Sequence, residues 1–379
     1  MTYTVIGGGI AGTAIAMLIA RHKPVTVIDR LTEKMIRSSG AGFVLWPNGV
    51  KIIRSLFPEW KEGDIGTALT AVDTYKRTGE LLSTKDLQAT LEQSGYYPMV
   101  VNRAVLMGKL YDYIEQSHLP VNYVFSKDMD YQALLNQESD ASVFLCSGIN
   151  TEEQRYVEMP FYAGVYNFIG VSETFLPHAS IGQEYLGDQV RAGYMPLPNN
   201  QLYFRYSLFL PSKTRFIDPK KILQEKFSTF PACVREHIDS LYNQNISVRP
   251  EMSVAAVPLM SCINRNYPVL GDALCPMTSG SGQGVSQALE DACLFYLLWN
   301  EYGLTPMMLR NYYNERLERR EVIREAYLKV TQMMSLSEED FINTWAEQAL
   351  CKSSTLNNPI LILPAKISEA IKCGTISFS

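Results

Sequence analysis

The sequence predicts an α/β protein: an N-terminal domain with a parallel sheet carries an inserted, mainly antiparallel β lobe and is followed by C-terminal helices. Three observations support this fold class. They are a strand–turn–helix–strand pattern at the start, short alternating aromatic-rich runs in the middle, and helical periodicity towards the end. The length of 379 residues suits two domains, or one large domain with an inserted lobe.

The beginning of the chain has the pattern of a βαβ unit. We expect an apolar strand over Tyr3–Ile6, a turn over Gly7–Gly12, a helix over Thr13–Arg21, and a second strand over Val25–Ile28 that ends at Asp29. Two parallel strands joined by a helix are the unit from which Rossmann-like domains are built. The N-terminal domain is therefore predicted to be Rossmann-like.

The turn of this unit contains the pattern G-x-G-x-x-G. Three glycines at this spacing allow a tight turn, close approach of the backbone to a pyrophosphate, and close packing of the helix on the strand. An acidic residue follows twenty residues after Gly9, where its carboxylate can accept hydrogen bonds from ribose hydroxyls. The pattern predicts a dinucleotide site, and it fits FAD and NAD(P) equally well. The predicted site residues in this unit are Gly7, Gly9, Ile10, Ala11, Gly12 and Asp29.

Four further residues, which follow the βαβ unit in the sequence, are also predicted to contact the nucleotide. Arg30 and Arg37 follow the second strand, and Arg37 either reaches a phosphate or ribose or is a solvated loop arginine. Gly42 precedes an apolar, strand-like segment. Arg103 stands in the first turn of a predicted helix, where a positive charge opposes the helix dipole. An anionic neighbour therefore explains Arg103 better than helix stability does.

A second glycine-rich stretch, GDALCPMTSGSGQG at residues 271–284, follows an apolar run that is predicted to be a core strand. It places the carboxylate of Asp272 at the end of this strand, then the thiol of Cys275, and then several glycines before a buried helix. Free backbone amides at the beginning of a helix attract electron-rich groups. This stretch is therefore a second candidate binding site.

The middle of the chain is predicted to form the second lobe. Residues 67–99 alternate like antiparallel strands with a hairpin at Thr78-Gly79, and residues 161–257 add further strands and a helical region over Pro219–Leu241. Most aromatic side chains in such a lobe belong to its core, but a minority can line a flat apolar pocket. The predicted substrate-contacting residues are Tyr194, Phe204 and Tyr206.

The composition argues against several classes of function. A net charge of −5 gives no basic surface for nucleic acid. Seven cysteines without a C-x-x-C pair and four widely separated histidines predict neither a disulfide framework nor a metal site, and they favour a reducing cytoplasm. The N-terminal apolar run lacks a basic flank and is shorter than the roughly 20 residues of a membrane span, so no transmembrane segment is expected. Monomer and homodimer both remain open.

Three segments together resemble the FAD-dependent aromatic monooxygenase family, the group A flavoprotein monooxygenases. This family includes para-hydroxybenzoate hydroxylase, salicylate hydroxylases and tetracycline-modifying enzymes. The segments are VIGGGIAGTAIAMLIARHKPVTVID at the start, NRAVL in the middle and VLGDALCPMTSGSGQGVSQALEDA late in the chain. Their order and spacing match from Met1 to about Arg320, so the resemblance covers most of the chain.

The resemblance implies a reaction and its cofactors. FAD would be reduced by NAD(P)H, capture O2 as a flavin hydroperoxide, and transfer one oxygen atom to a small aromatic or polycyclic substrate. The cofactor performs this chemistry, so no side-chain nucleophile is expected, and the protein must exclude water from the site.

The resemblance also assigns roles to individual residues. Asp29 would hold the adenosine ribose, Arg103 would contact the flavin nucleotide, and Asp272 would bond the ribityl chain. Pro276 and Gly282 would border the flavin and the oxygen. Amides at the beginning of the late helix would face the flavin N1/C2 edge, where negative charge appears on reduction. These last cofactor contacts are assigned to Gly282, Gln283, Gly284 and Val285.

Two departures from the family pattern leave alternatives open. Ser147-Gly148 stands where members usually carry Asp-Gly, and Arg155 lies one residue late; in the family this pair is linked to FAD pyrophosphate and to NAD(P)H. Cys275 replaces a common histidine, as a packing substitution or as a reactive thiol. One alternative to hydroxylation is a flavoenzyme of the same fold that oxidises or cyclises its substrate without NAD(P)H. The other is a non-catalytic FAD-binding module.

The expected domain organisation is discontinuous. The FAD-binding domain would comprise residues 1–66, 98–158 and 258–335. The substrate-binding β lobe would comprise residues 67–97 and 159–257, and a C-terminal helical segment residues 336–379.

Overall fold

The computed structural model describes residues 2–38, 40–61, 63–125, 143–149, 160–173, 178–210, 214–254, 257, 259, 262, 267–351 and 361–378. The strands are β1 (Tyr3–Ile6), β2 (Val25–Asp29), β3 (Gly42–Leu45), β4 (Gly66–Ala68), β5 (Ala71–Lys76), β6 (Leu81–Asp86), β7 (Met99–Asn102), β8 (Val121–Phe125), β9 (Val143–Leu145), β10 (Phe161–Ser172), β11 (Ile181–Gly187), β12 (Val190–Leu197), β13 (Gln201–Phe209) and β14 (Ser247–Ser253). The helices are α1 (Ile10–Ala20), α2 (Glu33–Ser38), α3 (Pro47–Leu56), α4 (Gln88–Ser94), α5 (Arg103–Gln116), α6 (Pro219–Lys226), α7 (Ala232–Ser240), α8 (Gly284–Tyr302), α9 (Pro306–Gln332), α10 (Glu338–Cys351) and α11 (Ala365–Lys372).

A parallel four-stranded sheet in the order β8-β2-β1-β9 confirms the predicted Rossmann-like unit. The residues of β1 are apolar or small in succession because both faces of this strand are buried. Helix α1 begins at Ile10, earlier than the predicted Thr13, because the glycine-rich turn continues directly into the helix. Helix α5 begins at Arg103, where the sequence places its first turn.

Helix α8 lies in the larger hydrophobic core. It packs against α1, α3, α9 and α11, and its residues from Ser286 to Leu298 are all buried. A helix that is buried on every side needs partners all round, and these four helices provide them. The second glycine-rich stretch leads directly into α8, so this core fixes the position of that stretch.

The apolar run before the second stretch, Tyr267–Leu270, is not a regular strand. It forms one parallel bridge, between Leu145 of β9 and Val269. Leu145 N–H donates to Pro268 O at 2.8 Å, and Leu270 N–H donates to Leu145 O at 2.9 Å. The prediction of a core strand here is wrong in extent, since Pro268 has no N–H to add to a ladder. The run nevertheless ends at the carboxyl edge of the parallel sheet.

The second lobe is a seven-stranded sheet in the order β14-β10-β13-β12-β11-β5-β6. Its pairs are antiparallel except for β11 with β5, so the prediction of a mainly antiparallel lobe is confirmed. The predicted hairpin at Thr78-Gly79 joins β5 to β6. The pairing of β5 with β11 fits the proposed discontinuous lobe, whose exact boundaries remain a prediction.

Helices α6 and α7 arise from the region predicted to be helical, and they cover one face of this sheet. A small antiparallel sheet has the order β3-β7-β4. Among the described residues, no helix combines the length and apolar character needed to cross a bilayer.

Candidate cofactor site

The three glycines of the first motif have three different surroundings. A Cβ atom on Gly7, whose φ is +103°, would lie 2.3 Å from Cys146 O. A Cβ atom on Gly12 would lie 1.8 Å from Gly7 O, so α1 packs directly on the turn. A Cβ atom on Gly9 would meet no described atom within 4 Å. The fold therefore requires Gly7 and Gly12, whereas Gly9 leaves open space at the beginning of α1.

Asp29, at the end of β2, is held against this turn. Its Oδ2 accepts a hydrogen bond from Gly8 N–H at 2.7 Å, and its Oδ1 accepts one from Leu31 N–H at 2.8 Å. Tyr111 OH donates to Gly8 O at 3.0 Å and fixes the turn from the other side. Each carboxylate oxygen keeps capacity to accept a further bond, so Asp29 can still bind ribose hydroxyls.

Arg103 approaches the same region from the beginning of α5. A Cβ atom on Gly40 would lie 2.6 Å from Arg103 Cδ, so this glycine leaves room for the arginine side chain. Burial lowers the pKa of Arg103, and the nearby Tyr111 and Asp29 raise it. Asp29 is thus an anionic neighbour of Arg103, as the helix-dipole argument requires.

Arg37 forms ion pairs within the protein. Its guanidinium donates to Glu33 and Asp112, each at 2.6 Å, and lies 3.4 Å from Glu115. The predicted contact of Arg37 with a phosphate or ribose is therefore not supported, because three carboxylates already surround this charge. Arg30 is exposed after β2, and its predicted contact remains a proposal.

Close contacts at both ends of β3 bring the second stretch and the β lobe together. A Cβ atom on Gly42 would lie 2.6 Å from the Tyr203 ring of β13, so this glycine allows the lobe to approach. A Cβ atom on Gly282 would lie 2.8 Å from Trp46 Nε1, which donates to Ser281 O at 3.0 Å. Gly42 and Gly282 therefore allow tight packing around β3.

The two glycine-rich stretches meet at the carboxyl edge of the parallel sheet. Gly271 has a φ of +67°, and a Cβ atom on it would lie 2.9 Å from Ala11 Cβ in the first turn of α1. Asp272 follows, and a Cβ atom on Gly284 would lie 4.0 Å from Asp272 Oδ1. Residues that are more than 250 positions apart in sequence thus form one surface.

Asp272 and Cys275 differ in accessibility. Asp272 is an exposed residue, yet its carboxyl group is close enough to protein atoms to lose part of its hydration. Burial raises the pKa of Asp272, Arg320 lowers it and Asp291 raises it. Cys275 is only 2% exposed, and burial raises the pKa of its thiol. The interpretation of Cys275 as a packing substitution is therefore favoured over a reactive thiol.

The beginning of α8 has donors to offer a ligand. Its N-cap residue, Gln283, makes no side-chain capping bond within the described residues, and Gly284 and Val285 are half-buried. Uncapped amides and the positive end of the helix dipole suit the flavin N1/C2 edge. Together with the open space at Gly9 and the exposed carboxylate of Asp272, they are consistent with FAD in chemistry and placement.

The three predicted substrate residues lie on the wrong face of the β lobe. Tyr194, Phe204 and Tyr206 are between 0% and 4% exposed, and they pack with α6 and α7 in the core of the lobe. Their assignment to the substrate pocket is corrected accordingly. The alternation along β13 places the neighbouring Tyr203 and Arg205 on the opposite face.

That opposite face carries a polar network that the sequence analysis missed. Arg205 Nε donates to Asn167 Oδ1 at 3.0 Å, and Asn167 Nδ2 donates to the buried Glu251 at 2.6 Å. Glu251 accepts from Ser279 N–H at 2.8 Å and Gly280 N–H at 3.2 Å. The available signal was strand parity in β13, where Gln201, Tyr203, Arg205 and Ser207 stand at alternate positions. Gly280 N–H is thereby used within the protein.

A buried histidine in the lobe core predicts a pH-dependent stability. His237 Nδ1 and Tyr206 OH are 2.6 Å apart, and burial lowers the pKa of His237 to about 4. Between about pH 4 and the ordinary histidine pKa of about 6.5, the unfolded chain therefore binds more protons than the folded protein does. We expect the free energy of unfolding to fall by about 3 kcal/mol over this range as the pH decreases. Urea unfolding at both pH values measures the change.

The matched variant for that experiment is His237→Gln, which has no proton to gain. The free energy of unfolding of this variant should not show the decrease between about pH 6.5 and pH 4 that is assigned to His237. An equal pH dependence in the variant and the wild-type protein would contradict the assignment to His237.

A separate cleft of about 480 Å³ contains none of the predicted site residues. Its lining residues come from α3, β4, α4 and β7 and their neighbours, and they include Arg54, Tyr96 and Tyr97.

Known proteins resemble this chain in fold and in sequence. No protein-family model matches the chain. The crystal structure of Klebsiella pneumoniae HpxO, complexed with FAD and uric acid, superimposes with a TM-score of 0.77 at 20% identity, over 99% of this chain and 97% of that one. The chain therefore has the same fold as this FAD-complexed protein.

Sequence relatives have the same resemblance. The FAD-dependent urate hydroxylase of Mycolicibacterium vanbaalenii is 24% identical over 77% of this chain and 78% of its own length. The 2-heptyl-3-hydroxy-4(1H)-quinolone synthase of Pseudomonas aeruginosa is 24% identical over 79% and 81%. These relationships confirm the resemblance of the three motifs to the FAD-dependent aromatic monooxygenase family.

Proposed function

We propose that this protein is an FAD-dependent monooxygenase that hydroxylates a small aromatic substrate with O2 and NAD(P)H. The observation that carries the proposal is the contact between Gly271 and Ala11, which joins the two glycine-rich stretches. A dinucleotide whose adenosine half lies on the first stretch can therefore place its flavin half on the second.

Each part of FAD has protein groups that suit it. Asp29 would accept hydrogen bonds from the adenosine ribose, and Arg103 would contact the flavin nucleotide. Asp272 would accept bonds from the ribityl hydroxyls, and the first turn of α8 would face the flavin ring. When bound, FAD supplies the electron and oxygen transfer that side chains do not provide.

The polar face of the β lobe would orient the substrate. A Cβ atom on Gly280 would lie 3.3 Å from Arg205 Nη2, so this guanidinium lies beside the second stretch. Its Nε donates to Asn167 and its Nη2 lies 3.7 Å from Glu251, so the guanidinium is held in place while its exposed part can bind carbonyl or enolate oxygens of an aromatic ring. The names of the relatives, which specify urate and a quinolone, support an aromatic heterocycle as substrate.

The sequence of this chain departs from the family pattern at the residues that are linked to NAD(P)H. Ser147, half-buried beyond β9, replaces the usual carboxylate, and Arg155 lies outside the described residues. This substitution favours, as a second candidate, a flavoenzyme of the same fold that works without NAD(P)H. A non-catalytic FAD-binding module is the third. A cytoplasmic location is proposed from the cysteine content alone.

Anaerobic mixing with NADH and NADPH distinguishes the first candidate from the others. We expect the visible absorbance of oxidised FAD to bleach with at least one of the two, faster in the presence of an accepted aromatic compound. Stopped-flow absorbance with a panel of aromatic heterocycles that includes uric acid measures this rate. The matched variant is Ser147→Asp, which restores the usual carboxylate and should speed reduction if Ser147 limits it.

Absence of bleaching with both reductants across the panel would reject the monooxygenase proposal. Substrate-dependent bleaching without NAD(P)H would support the second candidate. Bound FAD that reacts in neither way would support the non-catalytic module.

A further inference from the structure

Five charged side chains form a buried cluster between α8 and α9. Arg316 binds Glu290 at 2.7 Å and Asp291 at 2.6 Å, Arg319 binds Glu290 at 2.6 Å, and Arg320 binds Asp291 at 2.5 Å. Four of these side chains are at most 1% exposed, and that of Arg319 is 16% exposed. Buried ion pairs seldom stabilise a fold more than apolar residues of similar size would. The cluster therefore calls for an explanation other than stability.

The cluster is connected to the beginning of α8 through amide side chains. Glu290 accepts a bond from Asn48 Nδ2 at 2.7 Å, and the same Asn48 nitrogen donates to Gln283 Oε1 at 3.2 Å. Arg316 Nη2 donates to Gln287 Oε1 at 2.6 Å, and Gln287 Nε2 donates to Gln283 Oε1 at 3.3 Å. Both routes end at Gln283, the N-cap of the helix that would face the flavin.

Asp291 and Arg320 connect the cluster to the loop that carries Asp272. Asp291 Oδ2 accepts a bond from Gly271 N–H at 2.7 Å. Arg320 Nη1 donates to Cys275 O at 2.5 Å. The charges thus hold both ends of the segment in which Asp272 would bind the ribityl chain.

The separation is short enough for these charges to act on a bound flavin. Glu290 follows Gly284 by six residues, which is about 9 Å along a helix, and helical side chains lean towards the N-terminus. Solvent screens charges weakly at such a distance when they are buried. Glu290 and Arg319 therefore contribute opposite potentials at the beginning of α8.

We propose that this buried cluster sets the midpoint potential of the bound flavin by acting electrostatically through the N-terminus of α8. Reduction adds negative charge to the flavin, so each positive charge behind the helix favours the reduced form and each negative charge opposes it. The inference rests on the proposed binding of FAD. It concerns the potential of the cofactor, which is measured without substrate or NAD(P)H.

Two charge-removing variants test the proposal by the sign of their effects. Arg319→Gln removes a positive charge and should lower the midpoint potential, whereas Glu290→Gln removes a negative charge and should raise it. The double variant should return close to the wild-type value. Spectroelectrochemical titration of the FAD-loaded proteins measures all three. The matched control is Arg310→Gln, since Arg310 lies on the same helix but is exposed, and it should leave the potential unchanged.

Shifts of the two single variants in the same direction, or shifts no larger than that of Arg310→Gln, would overturn the proposal. If Glu290→Gln does not fold, Arg319→Lys decides the matter, because it keeps the charge and should keep the wild-type potential. If Arg319→Lys lowers the midpoint potential as much as Arg319→Gln does, the effect comes from packing and the proposal is contradicted. Failure of the wild-type protein to bind FAD would instead refute the proposed function.

Discussion

Replacement of Asp272 by alanine is expected to weaken FAD binding by about 10- to 100-fold, because hydrogen bonds to a charged group contribute about 1.5–3 kcal/mol. Asp272 lies in the turn Gly271–Ala273, next to both the first turn of α1 and the beginning of α8. No other carboxylate of the second stretch can replace it, since Asp272 is its only acidic residue. Titration of apoprotein with FAD, followed by flavin fluorescence, measures the change.

The Asp272→Asn variant is the control, because asparagine has nearly the same size and shape as aspartate. It keeps one acceptor oxygen without the charge, so its affinity should lie between those of the wild-type protein and Asp272→Ala. Thermal unfolding of the apoproteins should differ little, because burial raises the pKa of Asp272 and so penalises its charged form in the fold. Unchanged FAD affinity in Asp272→Ala would show that the ribityl chain does not lie here.

Gly9→Ala and Gly12→Ala are expected to separate cofactor binding from folding. Gly9 has φ −73° and ψ −171°, which any residue adopts, and its Cβ would point into open space. Gly9→Ala should therefore unfold like the wild-type protein but bind FAD at least about 10-fold more weakly, because a methyl group enters the space for the pyrophosphate.

Gly12→Ala should instead destabilise the protein itself. Its Cβ would overlap Gly7 O, and forced overpacking of this kind costs about 1–3 kcal/mol or more. Urea unfolding of apoprotein and FAD titration, applied to both variants, give the two effects separately. A destabilised Gly9→Ala apoprotein, or a Gly9→Ala protein with normal FAD affinity, would contradict the placement of the pyrophosphate.

The sequence was sufficient for the features that depend on local pattern. The βαβ unit, the start of α5 at Arg103 and the hairpin at Thr78-Gly79 each follow from periodicity and turn residues, which act over a few positions. The glycine spacing identified the dinucleotide turn because Gly7 and Gly12 are required by close backbone contacts that any such turn must make.

Features that depend on which face of an element is buried were not predictable in the same way. Tyr194, Phe204 and Tyr206 were chosen as pocket residues for their aromatic character, but their strands turn this face towards α6 and α7. A one-residue change of parity reverses every side chain of a strand. The residues that meet the second stretch are Asn167, Arg205 and their neighbours instead.

Long-range ion pairing was also invisible in the sequence. Arg37 has the position of a nucleotide contact in sequence, yet carboxylates from α2 and α5 surround it. Likewise, nothing local reveals that Arg316 and Arg320 are buried against Glu290 and Asp291, because in sequence they lie on a charged helix. Only the packing of α9 on α8 determines these contacts.

The most direct test of the central claim, that the two glycine-rich stretches form one FAD site, is a comparison of FAD with FMN in equilibrium titrations of the apoprotein. The structure predicts one FAD per chain and binding of FMN at least about 100-fold weaker, because FMN lacks the adenosine half that the first stretch and Asp29 would hold. Equal affinity for the two flavins, or no binding of either, would contradict this account.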